Sequence, residues 1–183
     1  MALPRFELDR TALLVVDVQE KLLPAIDGAA RIEPQCVKLI RGCAAIGVPI
    51  MATEQYPRGL GPTVTAVRQA LPAATTIESK LKFSACIESV RKRLGEWGST
   101  HVLVCGIETH VCIAQTVLDL LDAGFVTAVV VDAVGSRSPT DHSIALHRLE
   151  QAAAVPVSVE MALFELVHEA GTDRFKAILP IVK

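Results

Sequence analysis

Short apolar, largely β-branched runs alternate along the chain with longer stretches whose apolar positions recur every three or four residues. That is the pattern of buried parallel strands joined by amphipathic helices. Residues 13–16, 48–53, 75–77, 102–105, 126–131 and 155–159 read as six strands. Helical periodicity fills 33–45, 64–71, 86–94, 109–124, a segment from Thr140 or Asp141 to about Ala153, 160–169 and 173–178. Pro156 puts the sixth strand at an edge, because a residue without an N–H cannot serve a central ladder. Each strand–helix unit suits a right-handed crossover. The predicted fold is therefore α/β: a three-layer α/β/α sandwich on a mostly parallel six-stranded sheet, Rossmann-like, in the common order 3-2-1-4-5-6. No repeat, low-complexity tract or linker interrupts 1–183, so a single domain is expected.

The most informative stretch is 101–124. Gly106 is read as ending its strand, and Thr109 as the N-cap of the next helix. Cys112 then falls in the first helical turn, where free N–H groups and the helix dipole favour anions, so its thiol is expected to ionise readily. Packing as one more buried cysteine is the other reading. Asp17 comes directly after the first strand, either as a helix cap or as a functional carboxylate. In the order 3-2-1-4-5-6 the first and fourth strands are neighbours at the switch point, where open parallel sheets bind ligands. Asp17 and Cys112 would then face one pocket, and a carboxylate beside a thiol can take its proton and return it to a leaving group.

Residues 54–62 contain two glycines and two prolines and are read as a loop forming a pocket wall. Gly59-x-Gly61 is no dinucleotide fingerprint, since it lacks the third glycine and Pro62 interrupts the helix it needs. Lys80 and Lys82 lie in a strand-to-helix loop with Ser84 as the expected cap; lysines so placed are ordinarily solvated.

Composition narrows the function classes. A net charge of −2 with scattered basic residues, of which only Arg91-Lys92-Arg93 cluster, gives no footprint for nucleic acid. The N-terminus does not read as a secretory signal, and no apolar run approaches the roughly eighteen residues of a membrane span, so a cytoplasmic protein off the membrane is expected. Five cysteines without CxxC spacing suggest free thiols rather than disulfides or a zinc site. There is no Gly-x-Ser-x-Gly elbow, Walker loop or His-Glu-x-x-His, and neither metal nor cofactor is expected. His110 is two residues from Cys112, so the two side chains point to different helix faces.

The chain resembles the isochorismatase-like cysteine hydrolases, the superfamily of nicotinamidases, N-carbamoylsarcosine amidase and isochorismatase. The resemblance rests on Leu13-Leu14-Val15-Val16-Asp17-Val18-Gln19, on Lys80-Leu81-Lys82-Phe83-Ser84, and most specifically on Cys105-Gly106-Ile107-Glu108-Thr109-His110-Val111-Cys112. Residues 53–63, Thr-Glu-Gln-Tyr-Pro-Arg-Gly-Leu-Gly-Pro-Thr, are similar to a loop of the isochorismatase domain-containing subgroup. The resemblance implies a catalytic set of Asp17, Lys80 and Cys112, with Lys80 chosen over Lys82 by its spacing to Phe83. It also implies a non-proline cis peptide just before the nucleophile, and an oxyanion hole from the N–H groups of Cys112 and Glu108. Leu22, Tyr56, Phe83 and Thr109 are candidate pocket residues. The Asp-x-His metal motif of nicotinamidases is replaced by Thr53-Glu54-Gln55. The expectation is metal-independent hydrolysis of a small amide or related acyl compound through a thioester, by a homo-oligomer. The alternatives are vinyl-ether hydrolysis, as in isochorismatase, and a metabolite- or partner-binding protein that keeps the fold without catalysis.

Overall fold

A computed structural model of the chain, described for residues 5–183, contains six strands: β1 (Thr11–Val16), β2 (Ile50–Gln55), β3 (Ile77–Lys80), β4 (His101–Ile107), β5 (Val126–Gly135) and β6 (Val155–Val157). All pair in parallel in one sheet ordered β3-β2-β1-β4-β5-β6, as the alternation of elements predicts. Every residue of β1, β2 and β4 is buried, which is why these strands read as unbroken runs rather than alternating ones.

Successive side chains of a strand point to opposite faces, so each strand feeds two cores. Leu13, Val15, Ile50, Ala52, Leu103 and Cys105 pack on one side against α1 (Ala29–Ala45) and the later helices α7 (Val159–Val167) and α8 (Asp173–Val182). Ala12, Leu14, Val16, Met51, Val102 and Val104 pack on the other, against α4 (Glu88–Glu96), α5 (Ala114–Asp122) and α6 (Pro139–Gln151). Two short helices, α2 (Pro57–Leu60) and α3 (Thr65–Ala70), complete the connection from β2 to β3. Among the described residues no helix is long and apolar enough to cross a membrane.

Several boundaries differ from the sequence reading, and most differences lie at the carboxyl edge of the sheet. Gly106 lies inside β4, with φ +117° and an ideal Cβ position only 2.0 Å from the Val16 carbonyl oxygen. Its missing side chain lets β4 run close beside β1, a demand set by the neighbouring strand and invisible in local periodicity. β2 continues past Thr53 through Gln55 and β3 ends at Lys80, so Gln55 and Lys80 are strand residues on adjacent ladders rather than loop residues. β5 passes through Asp132 to Gly135, and Asp132 Oδ1 accepts from the Val159 N–H at 2.8 Å. Ser84 does not cap α4: the helix begins at Glu88, and Ser84 Oγ accepts from the Cys86 N–H at 3.1 Å. α6 is capped by Ser138, whose Oγ accepts from the Asp141 N–H, ahead of the expected Thr140 or Asp141.

Gly106→Ala should be poorly tolerated, because a Cβ there meets backbone and the φ is one that only glycine adopts easily. Loss of about 3 kcal/mol or more is expected in urea unfolding, or no soluble protein at all; a variant as stable as the parent would contradict the close β1–β4 approach.

Candidate active site

Asp17 is the residue after β1, held at φ 54° with its N–H donating to the Thr53 carbonyl at 3.1 Å. This backbone turn leaves the carboxylate over the carboxyl end of the sheet and fully buried. Its Oδ1 accepts from Thr53 Oγ1 at 2.7 Å, and its Oδ2 accepts from Lys80 Nζ at 2.6 Å. Lys80 is itself only 4 % exposed. Its ammonium also donates to Gln55 Oε1 at 2.9 Å and to the carbonyls of Phe83 at 2.9 Å and Lys82 at 3.2 Å. A buried ion pair survives only when its remaining hydrogen-bonding capacity is met, and here β2 and the loop after β3 meet it. Lys82, in contrast, is exposed, so of the two lysines only Lys80 departs from the solvated default.

Cys112 enters from the strand on the other side of β1. The Ile107–Glu108 peptide is cis, a few residues ahead of the thiol. Thr109–Ile113 then forms a π-helical turn before α5, and the Glu108 carbonyl accepts from both Val111 and Ile113. Such turns occur frequently at functional sites, because the extra residue changes the direction of its neighbours' side chains. Thr116 Oγ1 donates to the Cys112 carbonyl at 2.5 Å and accepts from the Ala85 N–H at 2.7 Å, tying this turn to the loop that carries Phe83.

The thiol is 6 % exposed and lies near enough to Asp17 and Lys80 for both to act on its ionisation. Burial and then the Asp17 carboxylate push its pKa up to about 12, with Lys80 pulling the other way. The ready ionisation expected from its place near a helix start is therefore overturned. A helix end favours an anion by about 0.3–1 kcal/mol, whereas a thiol moved from 9.0 to about 12 reflects something on the order of 4 kcal/mol.

Thr109 is fully buried inside the π-turn rather than capping a helix, and its Oγ1 is hydrogen-bonded to His142 Nδ1 at 2.9 Å. His142 has its pKa lowered by burial and by Arg31, against an opposing pull from Asp27. His110 Nδ1 is hydrogen-bonded to Ser136 Oγ at 2.9 Å, away from Cys112 as the helical spacing suggests. The Glu108 side chain accepts from the Arg137 N–H at 3.0 Å and pairs with the Arg137 guanidinium at 3.0 Å. Tyr56 and Phe83 are half exposed, at 50 % and 52 %. Leu22 is partly buried and packs on the α1 side of the sheet, opposite the core layer that contains Cys112. Among the described residues no group of three His, Cys, Asp or Glu side chains is placed to hold a metal ion.

Sequence reasoning misses Thr53, Gln55, Gln19 and Thr116. The only available signal is position: Thr53 and Gln55 lie at the carboxyl end of the strand beside β1, where Asp17 sits.

Residues 11–161 match the family model of the Isochorismatase domain. Isochorismatase domain-containing protein 2 from Danio rerio is 39% identical over 176 residues, covering 95% of this chain and 87% of that protein. Among solved structures, MAR1 ribonuclease from Caenorhabditis elegans superposes with a TM-score of 0.94 at 37% identity, covering 98% of this chain and 92% of that one. YcaC from Pseudomonas aeruginosa, solved with hexane-2,5-diol and covalent acrylamide, superposes with a TM-score of 0.90 at 25% identity, covering 99% and 93%.

Lys80→Met should destabilise the fold by about 3–5 kcal/mol, because it leaves the Asp17 carboxylate buried without its cation. Adding Asp17→Asn to it should recover part of that loss. Urea unfolding of the two single variants and the double variant checks this; strictly additive losses would mean the two groups are not coupled.

Proposed function

We propose that this chain, which belongs to the isochorismatase family, hydrolyses a small amide or related acyl compound with Cys112 as nucleophile, Asp17 as proton carrier and Lys80 as the cation that holds Asp17 in place. The observation that carries this reading is a buried thiol beside the buried Asp17–Lys80 pair, its pKa pushed up by burial and then by the Asp17 carboxylate. A protonated thiol is a weak nucleophile and needs a base at the moment of attack, and Asp17 is placed to be one.

In the proposed reaction Sγ attacks the carbonyl carbon as its proton passes to Asp17. The carbonyl electron pair moves to oxygen, and the N–H groups of Glu108 and Cys112 stabilise that oxyanion; such donors are worth roughly 2.7–4 kcal/mol each where removal has been measured. The intermediate collapses with cleavage of the C–N bond, Asp17 delivers the proton to nitrogen, and the amine leaves. Asp17 next deprotonates a water molecule, which attacks the thioester carbon. The C–S bond breaks, the proton returns to sulfur, and the acid departs. No metal or cofactor is invoked, and Tyr56, Phe83 and Thr109 are proposed to shape the pocket. Covalent acrylamide in the YcaC structure supports the reading, because it is a small electrophilic amide trapped by a protein of this fold.

The substrate is proposed to be a small molecule and not nucleic acid, although one structural relative is named a ribonuclease. The net charge of −2 and the scattered basic residues support that choice. The same reading takes 1–183 as one domain working in the cytoplasm as a homo-oligomer, with exposed Tyr56, Leu81 and Phe83 as apolar surface available for contact between copies.

Intact-mass spectrometry of the full chain with acrylamide, a panel of small amides, ureido compounds and esters, and an RNA control tests the proposal. A single adduct on the parent protein, absent from Cys112→Ala and formed about 10²–10⁴ times more slowly in Asp17→Asn, is expected. Adducts that persist in Cys112→Ala, or turnover of RNA alone, would overturn it.

A further inference from the structure

Gln55 has both ends of its side chain committed. Its Oε1 accepts from Lys80 Nζ at 2.9 Å, and its Nε2 donates to the Leu81 carbonyl at 2.9 Å. An ammonium only donates and a carbonyl only accepts, so a single orientation of the amide satisfies both. The backbone of Gln55 is fixed as firmly. Its N–H donates to Gln19 Oε1 at 2.7 Å, while Gln19 Nε2 donates to the carbonyls of Gln55 at 3.0 Å and Gly61 at 2.6 Å. Glu54, one residue before, accepts from the Thr63 N–H at 2.7 Å and from Thr63 Oγ1 at 2.8 Å. The segment after β2 is thus closed on itself, and Gln55 is the rigid point in it that reaches Lys80.

A lysine stem is flexible, so its ammonium rests where its acceptors put it. Around Lys80 the three N–H protons face four oxygens: Asp17 Oδ2, Gln55 Oε1 and the carbonyls of Lys82 and Phe83. The last two belong to the loop after β3, whose Leu81 and Phe83 side chains are exposed. Without Gln55 the remaining neutral acceptors all lie on that loop, and the loop loses its own tie through the Leu81 carbonyl.

We propose that Gln55 is a positioning residue: it holds the Lys80 ammonium against the Asp17 carboxylate, and so sets the charge with which Asp17 receives the Cys112 proton. This rests on the proposed role of Asp17 as proton acceptor. The titratable groups facing Asp17 are Lys80 from β3 and Cys112 from the turn after β4, while β2 contributes the Thr53 hydroxyl. A carboxylate that loses a fixed cation is a less well placed acceptor, so weaker holding of Lys80 slows transfer of the Cys112 proton.

The test uses the full chain with Gln55→Leu, which removes the amide, and Gln55→Asn, which keeps an amide too short to reach. The first readout is the rate of acrylamide adduct formation at Cys112. The second is the Lys80 ammonium signal in spectra of ¹⁵N-lysine-labelled protein, assigned with Lys80→Met. In a folded variant the adduct rate should fall about tenfold, and the ammonium signal should shift or exchange away. A parent-like adduct rate or a parent-like ammonium signal in either folded variant overturns the inference. If the parent protein forms no adduct that depends on Asp17, the proposed mechanism has failed separately. The ammonium signal then decides for Gln55 by itself, and an unmoved signal overturns its holding role.

Discussion

The buried contact between Lys80 and Asp17 is the constraint around which the carboxyl end of the sheet is built. Neither charge is tolerable there alone: an unpaired ion in an apolar interior loses far more in desolvation than packing returns. The order β3-β2-β1-β4 therefore does more than place two residues side by side. It brings Lys80 from the outer strand across β2 to the end of β1, and β2 supplies the groups that make the crossing possible, with Thr53 on the carboxylate and Gln55 on the ammonium. The loop after β3 adds two carbonyls.

Cys112 is placed against this pair from the opposite side by a different device. Gly106 lets β4 lie close to β1, and the π-turn beyond β4 carries the thiol to Asp17 and Lys80. Thr116 then links the turn to the loop after β3, so three strand ends are joined through a few hydrogen bonds. The arrangement favours a neutral thiol beside an ion pair over a thiolate beside a cation. Burial and the carboxylate together outweigh both the lysine and the helix end. In the proposed mechanism this separates storage of the proton from its transfer, so that the nucleophile forms only as it attacks.

Much of this architecture is legible in the chain. The unbroken apolar runs report strands buried on both faces, and with the helices between them they lead to the sheet order observed. Asp17 and Cys112 stand out because each comes just after such a run, whereas Lys80 does not: two nearby lysines look alike until one is compared with a known pattern. The hidden features depend on neighbouring strands. Gly106 looks like a terminator because its reason lies in Val16, and Gln55 looks like loop because its partners are Lys80 and Gln19. The one-residue insertion of the π-turn is below the resolution of periodicity. The ionisation of Cys112 escapes a local argument about a helix start, which contains neither burial nor the carboxylate of another strand.

The most direct measurement of the central claim is the titration of Cys112 itself, tracked by NMR of protein labelled with ¹³C at cysteine Cβ and assigned with Cys112→Ser. The arrangement described requires the signal to stay at the thiol position through neutral and mildly alkaline pH, with a midpoint at about 12, and to titrate lower when Asp17 is replaced by Asn. A thiolate already present at neutral pH, or a midpoint indifferent to Asp17, would contradict it.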